Sequence, residues 1–270
     1  MTKVVWFLLL FTATNASALL LFPLTLGRFL LATGLYAGGT ALMLVLLFHP
    51  RSRWLAAAQC TVSCEAEPCV ALTFDDGPSA DVTPRVLAIL REKNVRATFF
   101  LVGSQVDRHP ALARGVCTEG HTVGNHTYSH PSLFCFLTPR RLRDEIGRAQ
   151  QVISRTTGVR PAYFRSPVGL RHPLLEPALE QASLTFVLWA LRTYDTRALK
   201  PDALRRRILD KVQPGSIILL HDRSGPGSEA MLATLPGVID RLRARGYRFV
   251  TLEQSPPTTP GPGAAGPGLL

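Results

Sequence analysis

From Cys69 to Leu252, short apolar runs alternate with helical patterns, and that alternation restricts the fold more than any other feature of the chain. The runs that read as strands are Val70–Phe74, Thr98–Val102, His121–Gly124, Tyr163–Arg165, Thr185–Trp189, Ser216–Leu220 and Arg248–Leu252. Helices are expected between them at Thr83–Lys93, Thr138–Thr157, Leu174–Ala182, Pro201–Lys211 and Glu229–Arg245. Thr83 and Thr138 each precede a proline, so a capping hydroxyl is followed by a residue pre-set for the first turn. Leu142, Ile146, Ala149 and Ile153 make one apolar stripe, and Gly158 supplies the stop. Strand–helix alternation of this kind predicts a parallel sheet, open or closed, and about seven such units suit a short barrel. No internal repeat is visible.

The flanks are of a different kind. Residues 4–48 are almost wholly apolar and divide at Pro23 and Arg28 into two spans, about 4–23 and 29–48. Each approaches the ~20 residues that cross a bilayer, so two transmembrane helices and a plasma (inner) membrane location are expected. A signal peptide is the alternative for the first span, with Lys3 as its basic end and Ala16-Ser17-Ala18 as a cleavage pattern. Lys3, Arg51 and Arg53 outside the two spans against Arg28 between them favour a cytoplasmic catalytic domain. The chain therefore reads as a membrane segment (1–55), a linker (56–68), a catalytic domain (69–254) and a Pro/Gly-rich tail (255–270) too poor in apolar residues to build a core.

The formal net charge of +11 comes mainly from arginine, since lysine occurs only at 3, 93, 200 and 211. Bulk positive charge invites a nucleic-acid partner, but no recognition helix, zinc-finger spacing or aromatic-basic stripe accompanies it. An arginine-rich surface beside an anionic leaflet is the simpler account. Five cysteines (60, 64, 69, 117 and 135) leave one unpaired whatever bridges form, and the odd count leans towards reduced thiols.

Residues that carry chemistry fall at the ends of the expected strands, where active sites of parallel α/β folds collect. Asp75 and Asp76 follow the first strand, His126 and His130 the third, Arg165 the fourth, Asp195 the fifth and His221 the sixth. Adjacent carboxylates repel, so a cation is needed between or beside them. The two histidines sit four residues apart, a spacing that puts both on one side of a helix or tight turn. With Asp76 they make a two-histidine, one-carboxylate set suited to Zn²⁺ or another borderline divalent ion.

Thr-Phe-Asp-Asp-Gly-Pro (73–78), His-Thr-Tyr-Ser-His (126–130), Arg-Ser-Pro (165–167) and Leu-Leu-His-Asp (219–222) follow one another as in polysaccharide deacetylases, which this chain resembles from about 70 to about 252. That family is the NodB-homology group, carbohydrate esterase family four. The resemblance implies a distorted (β/α)7 barrel and metal-dependent removal of acetyl groups from N-acetylated sugars. It implies Asp75 as general base, and Asp76, His126 and His130 as metal ligands, with Zn²⁺ first and Co²⁺ or Ni²⁺ as alternatives. It further implies Arg165 holding the base, Asp195 bracing that arginine and His221 as general acid. Leu219 would wall the acyl pocket, and the Val168 N–H would meet the oxyanion.

Two positions depart from the family pattern. Val168 stands where an aromatic usually follows Arg-x-Pro, and Thr196 stands where tryptophan usually follows the aspartate. His172 is a further polar group near the first of them. The catalytic set is intact, while the surroundings of the substrate are remodelled. The expected substrate is an N-acylated sugar or glycan, possibly lipid-linked, and the competing readings are a deformylase of a lipid-linked formamido sugar and a non-catalytic glycan-binding membrane protein. Nothing in the sequence sets the oligomeric state.

Overall fold

The structure is a computed structural model that describes residues 26–48, 56–64 and 67–255. The first expected span (about 4–23) and the Pro/Gly-rich tail from 256 onwards lie outside the described residues. The second expected span is helical as Leu26–Phe48, with Leu30, Leu31, Leu35 and Tyr36 exposed. Among the described residues, however, no helix is long and apolar enough to cross a membrane.

The chain divides into two compact units that interleave along the sequence. One comprises Met1–Ala58, Leu101–Pro110 and Gly124–Leu188; the other comprises Gln59–Phe100, Ala111–Val123 and Trp189–Leu270. In the second unit β1 (Cys69–Asp75) is the central strand and is buried at every position. Burial on both faces explains why its sequence is a continuous apolar run rather than an alternating one. Along one edge β1 pairs in parallel with β7 (Ser216–His221), which in turn pairs with β6 (Leu191–Arg192). On the other edge β2 (Thr98–Leu101) pairs with its end and β8 (Arg248–Phe249) with its start. Phe74 and Phe99 stack with centroids 5.0 Å apart in the core beneath.

In the first unit β4 (Tyr163–Phe164) pairs in parallel with β5 (Thr185–Phe186) and, through Asn125, with the end of β3 (Thr122–Asn125). Its long helix, Pro139–Thr157, starts where the sequence says: the Thr138 hydroxyl accepts from Arg141 N and Gly158 ends the helix at φ 75°. Leu142, Ile146, Ala149 and Ile153 are all buried, as their spacing predicts. Parallel α/β is thus the fold class. The strands number eight among the described residues, β6 being the one that the sequence does not announce, and neither run of strands closes on itself within its unit.

Cys64 and Cys69 form a disulfide across a Cα–Cα distance of 5.5 Å, a bridge that does not include Cys60, Cys117 or Cys135. The leaning towards reduced thiols throughout is therefore corrected, because five residues of separation bring this pair within bridging range. The segment expected to be a linker is fixed as well: Val62 is buried, its N–H donates to Gly215 O at 2.9 Å, and Thr61 bridges Ser216.

Candidate active site

The carboxylate pair sits where β1 stops. Asp75 is the last residue of the strand, buried, and paired in register with His221 at the end of β7. Asp76 follows with φ 76°, in the left-handed region that few non-glycine residues adopt. The Gly77–Pro78 bond after it is cis. Asp222 fixes this turn from the neighbouring strand end. Its N–H donates to Asp75 O at 3.1 Å, and its Oδ2 accepts from the Thr83 hydroxyl at 2.6 Å. Thr83 Oγ1 also accepts from Ser79 N at 2.8 Å, so one hydroxyl joins the turn to the buried acid.

Gly77 lies against that acid so closely that an added Cβ would overlap the Asp222 carboxylate. Gly77→Ala should therefore cost about 1–3 kcal/mol by overpacking, measured by urea denaturation. An unchanged midpoint would contradict the contact.

Burial pushes the Asp222 carboxyl up to about 7, helped by the charges of Asp76 and Asp75 and opposed by the Thr83 hydrogen bond. Among the described residues its Oδ1 is buried without a hydrogen-bond partner. A carboxyl whose folded pKa lies above its unfolded value of 3.8 contributes most to stability below that value, and the contribution fades as pH rises through about 7. Asp222→Asn should flatten the fall in stability between pH 4 and 7, read as the denaturation midpoint against pH. An identical slope in the variant would refute the assignment.

His221 is held by Asp195 at two points. Its Nδ1–H donates to Asp195 Oδ1 at 2.8 Å and its backbone N–H to Asp195 Oδ2 at 2.8 Å. Thr193 Oγ1 adds a third hydrogen bond to Oδ1 at 3.0 Å. Burial alone would lower the His221 pKa, but the Asp195 hydrogen bond and the charges of Asp195, Asp75 and Asp76 outweigh it, and the net shift is upward. Asp195 thus has a partner that the sequence resemblance did not supply, since it was expected against Arg165. Leu219 is buried in β7, and its carbonyl accepts from Thr193. Thr196 lines a shallow cavity with Asp195, His221, Arg223, Gly225, Gly227 and Ser228.

In the first unit the histidine motif lies in the loop after β3 rather than on a helix. Thr127 and His130 both take positive φ (64° and 53°), so the chain doubles back and the two imidazoles come within 5.0 Å of each other. Glu145 on the long helix clamps this loop, accepting from the N–H groups of Tyr128 (3.0 Å) and Ser129 (2.8 Å) and from the Ser129 hydroxyl. His126 is buried, and its Nδ1 lies 2.7 Å from Arg165 O. A carbonyl can only accept, so Nδ1 carries the proton and Nε2 is the atom left to bind.

Arg165 is fully buried and donates to Leu188 O at 3.0 Å and, from Nε, to Val187 O at 3.4 Å. Val168 follows in a short turn at φ 58° with its side chain exposed. His172 belongs to the scaffold: Nε2–H donates to Leu137 O at 2.8 Å, and Nδ1 accepts from Leu174 N.

Asp76, His126 and His130 each offer one ligand atom that could hold a metal ion. Two nitrogens with one carboxylate oxygen suit a borderline divalent ion. Three further contributors take their roles only in the structure. Asp222 was only a neighbour of His221, Glu145 sits on what looks like a solvated helix face, and Arg223 pairs Nε with Asp76 Oδ2 at 2.9 Å from a half-exposed position.

Residues 63–187 match the family model for polysaccharide deacetylases. Among curated proteins, a peptidoglycan-N-acetylglucosamine deacetylase of Bacillus cereus is 37% identical over 186 residues, covering 68% of this chain and 66% of the relative. A chitooligosaccharide deacetylase of Azorhizobium caulinodans is 36% identical, covering 67% of this chain and 91% of the relative. The chain spans just under two thirds of the Bacillus cereus protein (66%) and 38% of some longer relatives. Among solved structures, that of the Bc1960 peptidoglycan N-acetylglucosamine deacetylase superimposes with a TM-score of 0.67 at 34% identity, covering 73% of this chain and 91% of that one.

Proposed function

The chain belongs to the polysaccharide deacetylase family, and on that footing we propose that it is a hydrolase removing the N-acetyl group from an amino sugar of a glycan such as peptidoglycan or chitooligosaccharide. The observation that carries this reading is the pairing of Asp75 with His221 at adjacent strand ends, with Asp195 fixing the imidazole. A base and an acid on neighbouring strands are what amide hydrolysis needs on its two sides.

Asp76, His126 and His130 would hold a divalent ion, Zn²⁺ first. Bound there, it would supply Lewis acidity towards the amide oxygen and the attacking water. Asp75 takes the proton of the water that adds to the acetyl carbonyl carbon. The C–N bond then breaks, and His221 gives its proton to the departing sugar amine, leaving acetate. The raised His221 pKa keeps that proton available above the usual histidine range. Arg165 is proposed to hold Asp75 ionised, Leu219 to wall the acyl pocket and the Val168 N–H to meet the oxyanion.

Incubating the zinc-loaded chain with chitotetraose and with peptidoglycan fragments should release acetate, and a chelator should stop the release by at least ~10²-fold with recovery on adding zinc. No acetate from either substrate would overturn the proposal. Formate released from a lipid-linked formamido sugar would select the deformylase reading, for which Thr196 in the cavity beside His221 leaves room. Attachment through the apolar segment 4–48 is proposed as well, and membrane fractionation of the full chain tests it. The Cys64–Cys69 bond supports an oxidising compartment for the catalytic residues, against the charge bias of the flanks.

A further inference from the structure

Three arginines converge on one ring next to the proposed site. The guanidinium carbons of Arg207, Arg197 and Arg192 lie 4.3, 4.7 and 5.0 Å from the centroid of the Tyr194 ring. Arg192 also lies 5.7 Å from the Trp189 ring, and Arg207 Nε–H donates to Arg192 O at 3.2 Å, which holds two of the three together. Arg192 and Arg197 are exposed and Arg207 is half-buried. Among the described residues none of the three forms an ion pair, and the carboxylate of Asp202 is taken by Arg205 at 2.8 Å. Contact with the ring uses none of the terminal Nη–H donors, so these remain open to an oxyanion.

The position of the ring gives the cluster its meaning. Tyr194 takes φ 62°, and its carbonyl accepts from Arg197 N at 3.0 Å, closing a tight turn that carries Arg197 back to the ring. The next residue is Asp195, whose carboxylate holds His221. An anion bound by the cluster is therefore one residue along the chain from the group that orients the proposed acid. A carboxylate is satisfied by one guanidinium fork; three forks suit the oxygen-rich phosphate group. We propose that Arg192, Arg197 and Arg207, arranged round Tyr194, bind a phosphate group carried by the glycan substrate. This rests on the deacetylase reading, and it makes the substrate an anionic rather than a neutral glycan.

The test uses the full zinc-loaded chain with three probes: chitotetraose, 6-O-phosphorylated chitotetraose and inorganic pyrophosphate. The wild type should favour the phosphorylated sugar by about tenfold in kcat/KM, chiefly through KM, and should bind pyrophosphate in a salt-dependent way. Replacing the three arginines by glutamine should bring the ratio of the two sugars near one and weaken pyrophosphate binding at least ~10-fold. Replacement by lysine keeps the charge and loses the forks, so an intermediate ratio is expected. If the triple variant does not fold, Arg197→Gln at an exposed position should lower the ratio about threefold.

A wild type indifferent to the phosphate, or a glutamine variant that keeps both the preference and pyrophosphate binding, would overturn the proposal. So would arginine-dependent binding to phosphatidylglycerol vesicles or to a DNA oligonucleotide without any preference between the sugars. Should the wild type hydrolyse neither sugar, the deacetylase reading fails, and the pyrophosphate titration alone decides the phosphate site.

Discussion

Asp75→Asn removes turnover by about 10²–10⁴-fold while zinc affinity stays within a few-fold of the wild type. The side chain keeps its size and its place at the end of β1, where the strand is buried at all seven positions and hydrogen-bonded along both edges. What it loses is the ability to take a proton. The Asp75 carbonyl, which accepts from Asp222 N, is unaffected, so the turn that carries Asp76 stays in place. Steady-state acetate release and competition titration of zinc separate the two effects. A variant that retained more than a tenth of the rate would remove Asp75 from the base's role, and one that lost zinc would show that the two carboxylates share a single task.

Asp76→Ala has the opposite signature. Zinc affinity should fall by more than ~10²-fold, since even removing an outer-shell partner of a metal ligand costs 10–100-fold, and acetate release should fall to background. His126→Ala should do the same and should also strip the Arg165 carbonyl of the hydrogen bond it accepts from Nδ1. Its thermal midpoint should therefore fall even when both proteins are compared without metal. Zinc binding by Asp76→Ala at wild-type strength would move the ion elsewhere and undo the mechanism.

Much of this was legible in the sequence because the relevant signals were strong and local. β1 and β7 are continuous apolar runs, and the helix Pro139–Thr157 carries its own start and stop. The helices Gly103–Arg108 and Pro110–Thr118 are not legible there, the first because Gly-Ser-Gln-Val-Asp-Arg offers one apolar residue and no period. β6 has two residues, too few for any alternation to show. In the site, the histidines and the carboxylate pair were visible as spaced motifs. The geometry that makes them usable was not: the left-handed backbone at Asp76, Thr127 and His130 has no glycine to announce it. Glu145 could not be told from a solvated helix residue, because its partners are backbone N–H groups seventeen and sixteen residues away. Asp195 shows the limit of resemblance, which supplied the residue and left the His221 contact for the structure to reveal.

The two kinds of anchorage imply an order of failure. Asp75 ends a strand with no exposed position, so its amide should exchange with solvent only when the whole second unit opens. In the histidine loop the N–H groups of Tyr128 and Ser129 donate to one partly buried glutamate, a contact that can break and reform while the strands stay paired. On heating, hydrogen exchange should therefore quicken first at Tyr128 and Ser129 and last along β1. The protein would let go of its ion while still folded, and cooling with zinc present would restore activity without any refolding of the sheet.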